Sequence, residues 1–284
     1  MGNILVTVNV GNIGDIFGGI DAAGTPNGIV EIHLKGGTIG RVFGGGINAS
    51  VKTNYIYLEG STCTEIFGGS NASGTVNNTT IDVTSGEVTT VYGGNNSAGN
   101  TVTSKITIDG GTIKSAVYGG GKLAQTTTTN VTLNKSYIPN VYGGGANANI
   151  NTSTTIRLNG SSVGNLFGGS NAGGNVPTST ITVDKGYAAN IYGGNNENGL
   201  TTTTNITINN GRIDNIYGGG NNVGVTTSNI NLNNGTIGKV YGGSNKLGTV
   251  TNTNITASPS TNSTYTNDEL EMTEEASATY DVAP

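Results

Sequence analysis

The chain has 284 residues, of which 49 are Gly, 5 Pro, 1 Cys and 1 His, and its formal net charge is −5. An apolar fraction of 33% lies below the globular range, while 10% charged residues is too little for ordinary disorder, which needs high net charge and few β-branched residues. One Cys (Cys63) excludes an internal disulfide framework, the lone His33 excludes a multi-His metal site, and no stretch approaches the roughly 18 apolar residues of a membrane span.

The opening residues, Met1 to Val10, lack the basic start and long apolar core of a secretory signal. The chain is therefore expected to be a processed or excerpted piece, or to leave its cell by another route, such as inside a virion. Ile4, Val6, Val8 and Val10 alternate along this stretch, which predicts a strand with one apolar face. Ile13, Ile16 and Phe17 complete a unit that then recurs.

An apolar–aromatic–Gly–Gly block appears ten times, with its ring at Phe17, Phe43, Phe67, Tyr92, Tyr118, Tyr142, Phe167, Tyr192, Tyr217 and Tyr241. The spacing is 24 to 26 residues, and all four Phe of the chain fall in this one position, so the period is real. About eleven residues before each ring stands an apolar pair at i and i+2, such as Ile106/Ile108, Ile156/Leu158 and Ile206/Ile208. A turn of Asn, Asp and Gly follows, then a second short strand carrying Ile39, Cys63, Val88, Ile113, Ile138, Val163, Ile213 and Ile237. After the Gly pair comes a nearby Asn (Asn71, Asn96, Asn171, Asn196, Asn221), where a positive φ is expected.

Gly, Thr and Asn all disfavour helix, and a unit of about 25 residues with two or three short strands cannot close a core alone. Stacked on copies of itself it buries its Ile/Val columns. The predicted fold is all-β: a right-handed parallel β-solenoid of about ten coils over residues 1–257, roughly 50 Å long at about 4.8 Å per coil. Cys63 takes an inward Ile/Val place and is expected to be a buried, inert thiol.

Stacking turns each repeat position into a column. The residues around the apolar pair face out and are mostly Thr and Asn, as in Thr103-Ser-Lys105-Ile-Thr107 and Thr178-Ser-Thr180-Ile-Thr182. That face resembles the T-x-T surface of β-solenoid ice-binding proteins. His33, Tyr57, Asp82 and Arg157 interrupt it, and a soluble strand-favouring surface is the plainer reading. Ser104, Thr129, Thr154, Ser179, Thr204 and Ser228 point inward, where a hydroxyl needs a hydrogen bond; a ladder from coil to coil could supply it. The turn column Glu59, Thr84, Asp109, Asn134, Asn159, Asp184, Asn209 and Asn233 is expected to form Asn ladders rather than a Ca²⁺ site.

Glycan-cleaving β-helices gather two or three carboxylates on one face. Here the acids are scattered; Glu59, Glu65 and Glu87 could approach on adjacent coils, but no Arg, His or second-column partner is expected beside them. No catalytic residue, metal site or cofactor is assigned. The aromatic column holds the most binding potential. Strict alternation after an inward Ile or Val sends the rings outward, as a strip for a partner or sugars; a bend there makes an internal ladder. Packing or a subunit interface is preferred over glycan binding.

From Ser258 the composition changes, with six acids and no Lys or Arg to residue 284. The body, with 12 basic and 11 acidic residues, carries +1 and the tail −6. The tail is read as disordered and solubilising, or as a docking segment through Leu270 and Met272. Ile4, Val6, Val8 and Val10 at one end, with Ile255 and these tail residues at the other, form the candidate end-to-end interface.

The run Gly-Gly-Thr-Ile…Val-Tyr-Gly-Gly-Gly at 110–121, and its copies through 243, resembles the Gly-rich "VYGGG" β-strand repeats of bacterial adhesin-like surface proteins and of some phage fibres. The resemblance covers about residues 1–257 and implies an extracellular, cell-surface or virion location with structural or adhesive duties. The expected function is a non-enzymatic fibre or surface-layer subunit that pairs with itself. A glycan-binding or glycan-cleaving spike is the alternative and an ice-binding face the third reading; no nucleic-acid partner is expected.

Overall fold

The computed structural model describes residues 2–21, 24 and 28–257, and the backbone of 264–265 and 278–280. Among them every regular element is a strand. Each coil has a leading and a returning strand, and from the third coil on the leading one is the longer where the two are separate, for example Gln125–Leu133 then Tyr137–Tyr142, or Thr201–Ile208 then Arg212–Tyr217. In four coils the two run together as one bent strand: Val51–Phe67, Thr75–Tyr92, Ile150–Phe167 and Val176–Tyr192. The corner then shows as a register shift, as between Leu58 and Glu59.

Each strand pairs in parallel with its equivalent one coil on, so that Ile81 meets Ile106, Ile106 meets Val131 and Ile156 meets Ile181. The stacked coils of about 25 residues form a β-solenoid of about ten turns. At the C-terminal end Thr264–Tyr265 pairs in parallel with Thr236 and Ile237, and Ala278–Tyr280 runs antiparallel along Ile255–Ala257. The tail pieces therefore lie back on the last coil.

The core follows the sequence pattern. Ile106, Ile108, Ile156, Leu158, Ile206 and Ile208 are fully buried, and the returning strand adds its column from Ile39 to Ile237, with Ala188 filling one coil. Burying each Ile or Leu contributes about 1.5–3 kcal/mol. Cys63 is buried in this column, and burial alone pushes its thiol pKa up to about 12.

Two expectations about turns and interior change. No described residue other than Gly has a positive φ, so Asn71, Asn96, Asn171, Asn196 and Asn221 do not occupy the left-handed region. The turns are made by separate glycines, such as Gly86 (φ 83°) and Gly99 (φ 86°). The Gly pairs serve a different need. Their amides continue the coil-to-coil ladder, as Gly143 to the Phe167 carbonyl at 2.8 Å, while the facing side packs against inward polar residues. A Cβ on Gly168 would sit against the Gly193 carbonyl and 2.9 Å from Ser179 Cβ, so no side chain fits.

Those inward polar residues do not bond from coil to coil. Asn54, Thr129, Thr154, Ser179 and Thr204 each donate to the carbonyl of the Gly fourteen residues on, at 2.5–2.8 Å, across the interior. The leading strand and the Gly pair face each other there, which brings hydroxyl and carbonyl together. Thr79, Ser104 and Ser228 occupy the same column without such a bond.

Candidate interaction surface

The ten rings form one continuous ladder. Successive centroids are 4.4–5.0 Å apart and the planes agree within 8° from Phe17 to Tyr241. Phe43 and Phe67 are fully buried and Tyr92, Tyr118, Tyr142, Phe167 and Tyr192 nearly so; Phe17 and Tyr217 are half-buried and Tyr241 is exposed. The cause is a break in alternation. Ile138 and Val141 both enter the aliphatic core although they are three residues apart, and Tyr142 enters a second cluster with Ala116 and Ala146. The internal ladder, not the outward strip, is what forms. Ring faces stack on ring faces, so within the column they are unavailable to a sugar.

Two columns border the rings. Before them run Asp15, Arg41, Glu65, Thr90, Ala116, Asn140, Asn165, Asn190, Asn215 and Lys239, in direct register. After them come Asn71 and Asn96, then Lys122 and Ala146, then Asn171, Asn196, Asn221 and Asn245. The asparagines form amide ladders: Asn165 to Asn140, Asn190 to Asn165 and Asn215 to Asn190 at 3.0 Å, and Asn96 to Asn71, Asn196 to Asn171 and Asn221 to Asn196 at 2.8 Å. Asn171 also donates to the Tyr118 hydroxyl at 3.3 Å. Burial pushes the phenols of Tyr92, Tyr118 and Tyr142 up, so they stay neutral.

The expected turn-column ladder is present, with Asn159 donating to Asn134, Asn209 to Asp184 and Asn233 to Asn209 at 2.8–3.0 Å. The Asn209 amide and then Arg157 hold the Asp184 carboxyl below its ordinary value. A further ladder joins Asn205, Asn229 and Asn254 on the outer Thr/Asn face. That face has the predicted register, and His33, Tyr57, Asp82 and Arg157 interrupt a single column of it.

The three carboxylates considered for hydrolysis lie in three different columns: Glu59 beside Ser85, Glu87 beside Thr62, Glu65 beside Thr90. They are also not without partners. Glu59 meets His33 at 3.0 Å, Glu87 meets Lys114 at 2.5 Å and Glu65 meets Lys122 at 2.9 Å. Sequence spacing missed these pairs because none joins residues of one column: His33 lies opposite Tyr57 and Glu87 opposite Thr112, and Lys122 stands 57 residues from Glu65. Lys122 reaches back two coils, over Tyr92 and Phe67 at 5.6 and 6.0 Å from their centroids. No His/Cys/Asp/Glu group suited to a metal ion occurs among the described residues.

At the N-terminal end Ile4 and Val6 are half-buried and Val8 is buried. Val10 does not extend the alternation: the strand Ile4–Val8 ends before it, Gly11 turns the chain at φ 106°, and Val10 is 80% exposed. Among the described residues that strand pairs on one edge, with Ile29–Leu34. Ile255 is buried in the last coil, under the strand that holds Tyr280. Leu270 and Met272 lie outside the described residues. No family model, curated protein or solved structure matches the chain.

Proposed function

We propose that this chain is a structural and adhesive subunit of an extracellular fibre, surface layer or virion, with no catalytic duty of its own. The observation that carries the reading is the unbroken ring ladder, bordered over part of its length by self-bonded amide columns. The asparagines of these columns are spent on one another from coil to coil, which favours a stiff, repetitive body over a converged reaction site. The Gly-rich repeat's resemblance to bacterial adhesin-like proteins and phage fibres supports the same reading.

Self-association completes it. The outer edge of Ile4–Val8 has no strand partner among the described residues, and Leu5 within the strand is 67% exposed. A parallel strand edge of this kind pairs readily with another chain. Because Ala278–Tyr280 already lies along Ile255–Ala257, that edge would meet a different surface of the next copy, a heterologous contact that propagates as a filament unless a rotation closes it. Sedimentation velocity and electron microscopy of the 284-residue chain over a range of concentrations test this. Rods that lengthen with concentration are expected; a strictly monomeric species at the highest concentration would sink the self-association reading.

A further inference from the structure

Two coils share a Lys-x-Tyr corner, Asn134-Lys135-Ser136-Tyr137 and Asp184-Lys185-Gly186-Tyr187, and the coil between them reads Asn159-Gly160-Ser161-Ser162. The strand register aligns Tyr137, Ser162, Tyr187 and Arg212 in that order, one per coil. In the internal ladder, rings one coil apart touch face to face at 4.4–5.0 Å. Tyr137 and Tyr187 stand two coils apart, about 9.6 Å, or twice the strand spacing of about 4.8 Å. The missing ring between them is replaced by Ser162, which is too short to fill the space.

The walls of this slot are placed. Tyr137 is 64% exposed. Tyr187 is held in place: its hydroxyl donates to Asp214 at 2.5 Å, and the Arg212 guanidinium lies 5.5 Å from its ring centroid. Arg212 belongs to the coil beyond, so it occupies the side of Tyr187 away from Ser162. Lys185 leans back over the middle coil, its Cε 3.6 Å from where a Cβ on Gly160 would stand. Other charges nearby are already matched, Lys135 by Asp109, Arg157 by Asp184 and Arg212 by Asp214, whereas Lys185 has no ion pair among the described residues.

We infer that the Tyr137–Ser162–Tyr187 slot binds one pyranose ring of an acidic saccharide, with the Lys185 ammonium on its carboxylate. A pyranose offers a C–H face to each tyrosine at ordinary contact distance, and a ring at the midpoint of about 9.6 Å meets both. Its hydroxyl rim meets Ser162, and its carboxylate meets the one unmatched cation. An aromatic side chain of a partner protein would fill the same space but leave the Ser162 hydroxyl and Lys185 against hydrocarbon. The inference rests on the adhesive part of the function proposed above, and binding is measurable whether or not the rods associate.

The test is calorimetric titration of the full chain with a galacturonic acid trimer, a sialylated lactose and neutral lactose. The acidic sugars are expected to bind more tightly than neutral lactose by about tenfold, the scale of one charge contact. Ser162→Tyr inserts the missing ring and is expected to remove binding while the melting curve is unchanged; Tyr137→Ala, at an exposed side chain, is the second variant should the first not fold. Lys185→Gln should bring the acidic sugars down to the neutral one. Failure of both acidic sugars to bind the unmodified chain overturns the inference, as does binding that survives Ser162→Tyr in a folded protein. Binding of 3-phenylpropionate as tight as that of the sugars, and equally lost in Ser162→Tyr, overturns the saccharide assignment in favour of an aromatic occupant. Loss of rods in sedimentation with sugar binding intact counts only against self-association.

Discussion

Thr154 donates its hydroxyl hydrogen to the Gly168 carbonyl at 2.5 Å, across the inside of the coil. This pairing explains why the position after each ring is Gly: the space that a side chain would need holds the neighbouring coil's hydroxyl and backbone. Gly168→Ala should cost about 1–3 kcal/mol through overpacking, toward the upper end because one of the clashes is with backbone. Gly243, with nothing among the described residues within 4 Å of where a Cβ would stand and no positive φ, is the control. Gly243→Ala should stay within about 0.5 kcal/mol of the unmodified chain in denaturant melts. Equal effects at the two positions would refute the packing account.

Removing the hydroxyl but keeping the ring separates stacking from hydrogen bonding in the ladder. Tyr142→Phe reproduces what Phe43, Phe67 and Phe167 already do in this column and should change stability by less than about 1 kcal/mol. Tyr142→Ala opens a gap between Tyr118 and Phe167, both of which stack on it, and should cost about 3–5 kcal/mol. Similar melting temperatures for the two variants would show that the ring faces contribute little.

The period, the Ile/Val columns and the buried place of Cys63 were legible because each depends only on alternation within one strand and on spacing between coils. The direction of the rings was not. It turns on a three-residue step between Ile138 and Val141, which breaks the two-residue rule at the corner and puts two consecutive residues, Val141 and Tyr142, under cover in separate clusters. The Asn after the Gly pair was legible as a recurring residue, but its role is set by the amide one coil away. The Lys122–Glu65 contact spans 57 residues and two coils, so a one-coil comparison of columns cannot find it. The Tyr137–Tyr187 slot depends on a ring that is absent from the column, and only the register reveals such a gap.

A carboxylate in an amide ladder tests whether the amides donate to one another. Asn190 donates to Asn165 Oδ1 and accepts from Asn215, both at 3.0 Å. Asn190→Asp keeps the acceptor and puts a negative oxygen where the donor stood, facing Asn165 Oδ1. Losing that bond and adding the repulsion should cost about 1–3 kcal/mol at neutral pH. Protonation restores a donor, so the deficit should shrink on acidification toward pH 4. A deficit independent of pH would mean that the Asn190 amide does not donate within the ladder.

Cys63 should be unreactive while the coil is closed. Its thiol is buried in an aliphatic column and its pKa is pushed up to about 12 by burial, so almost no thiolate exists at neutral pH. A disulfide reagent should label it only at the rate of unfolding, and Cys63→Val, which copies Val88 in the next coil, should leave stability within about 1 kcal/mol. Rapid labelling of the folded chain would place this column at the surface.

Alkali should dissolve the ring ladder from the unfolded side. Burial, ahead of the other causes, raises the phenol pKa of Tyr92, Tyr118 and Tyr142 above the ordinary value of 10.0. Below pH 10 these phenols are neutral in both states, so their burial contribution is complete. Above it the unfolded chain releases protons that the folded chain retains, and stability falls as pH rises toward the folded values. Each such tyrosine adds a slope of up to about 1.4 kcal/mol per pH unit. Denaturant melts between pH 9 and pH 12 should therefore show a steep loss of stability, shallower by one tyrosine's share in Tyr142→Phe. Phenolate absorbance from the ladder should rise together with the loss of strand signal. Reversible ionisation of the ladder tyrosines in a chain that keeps its strand signal would show that their hydroxyls reach water and that the ladder is an open strip.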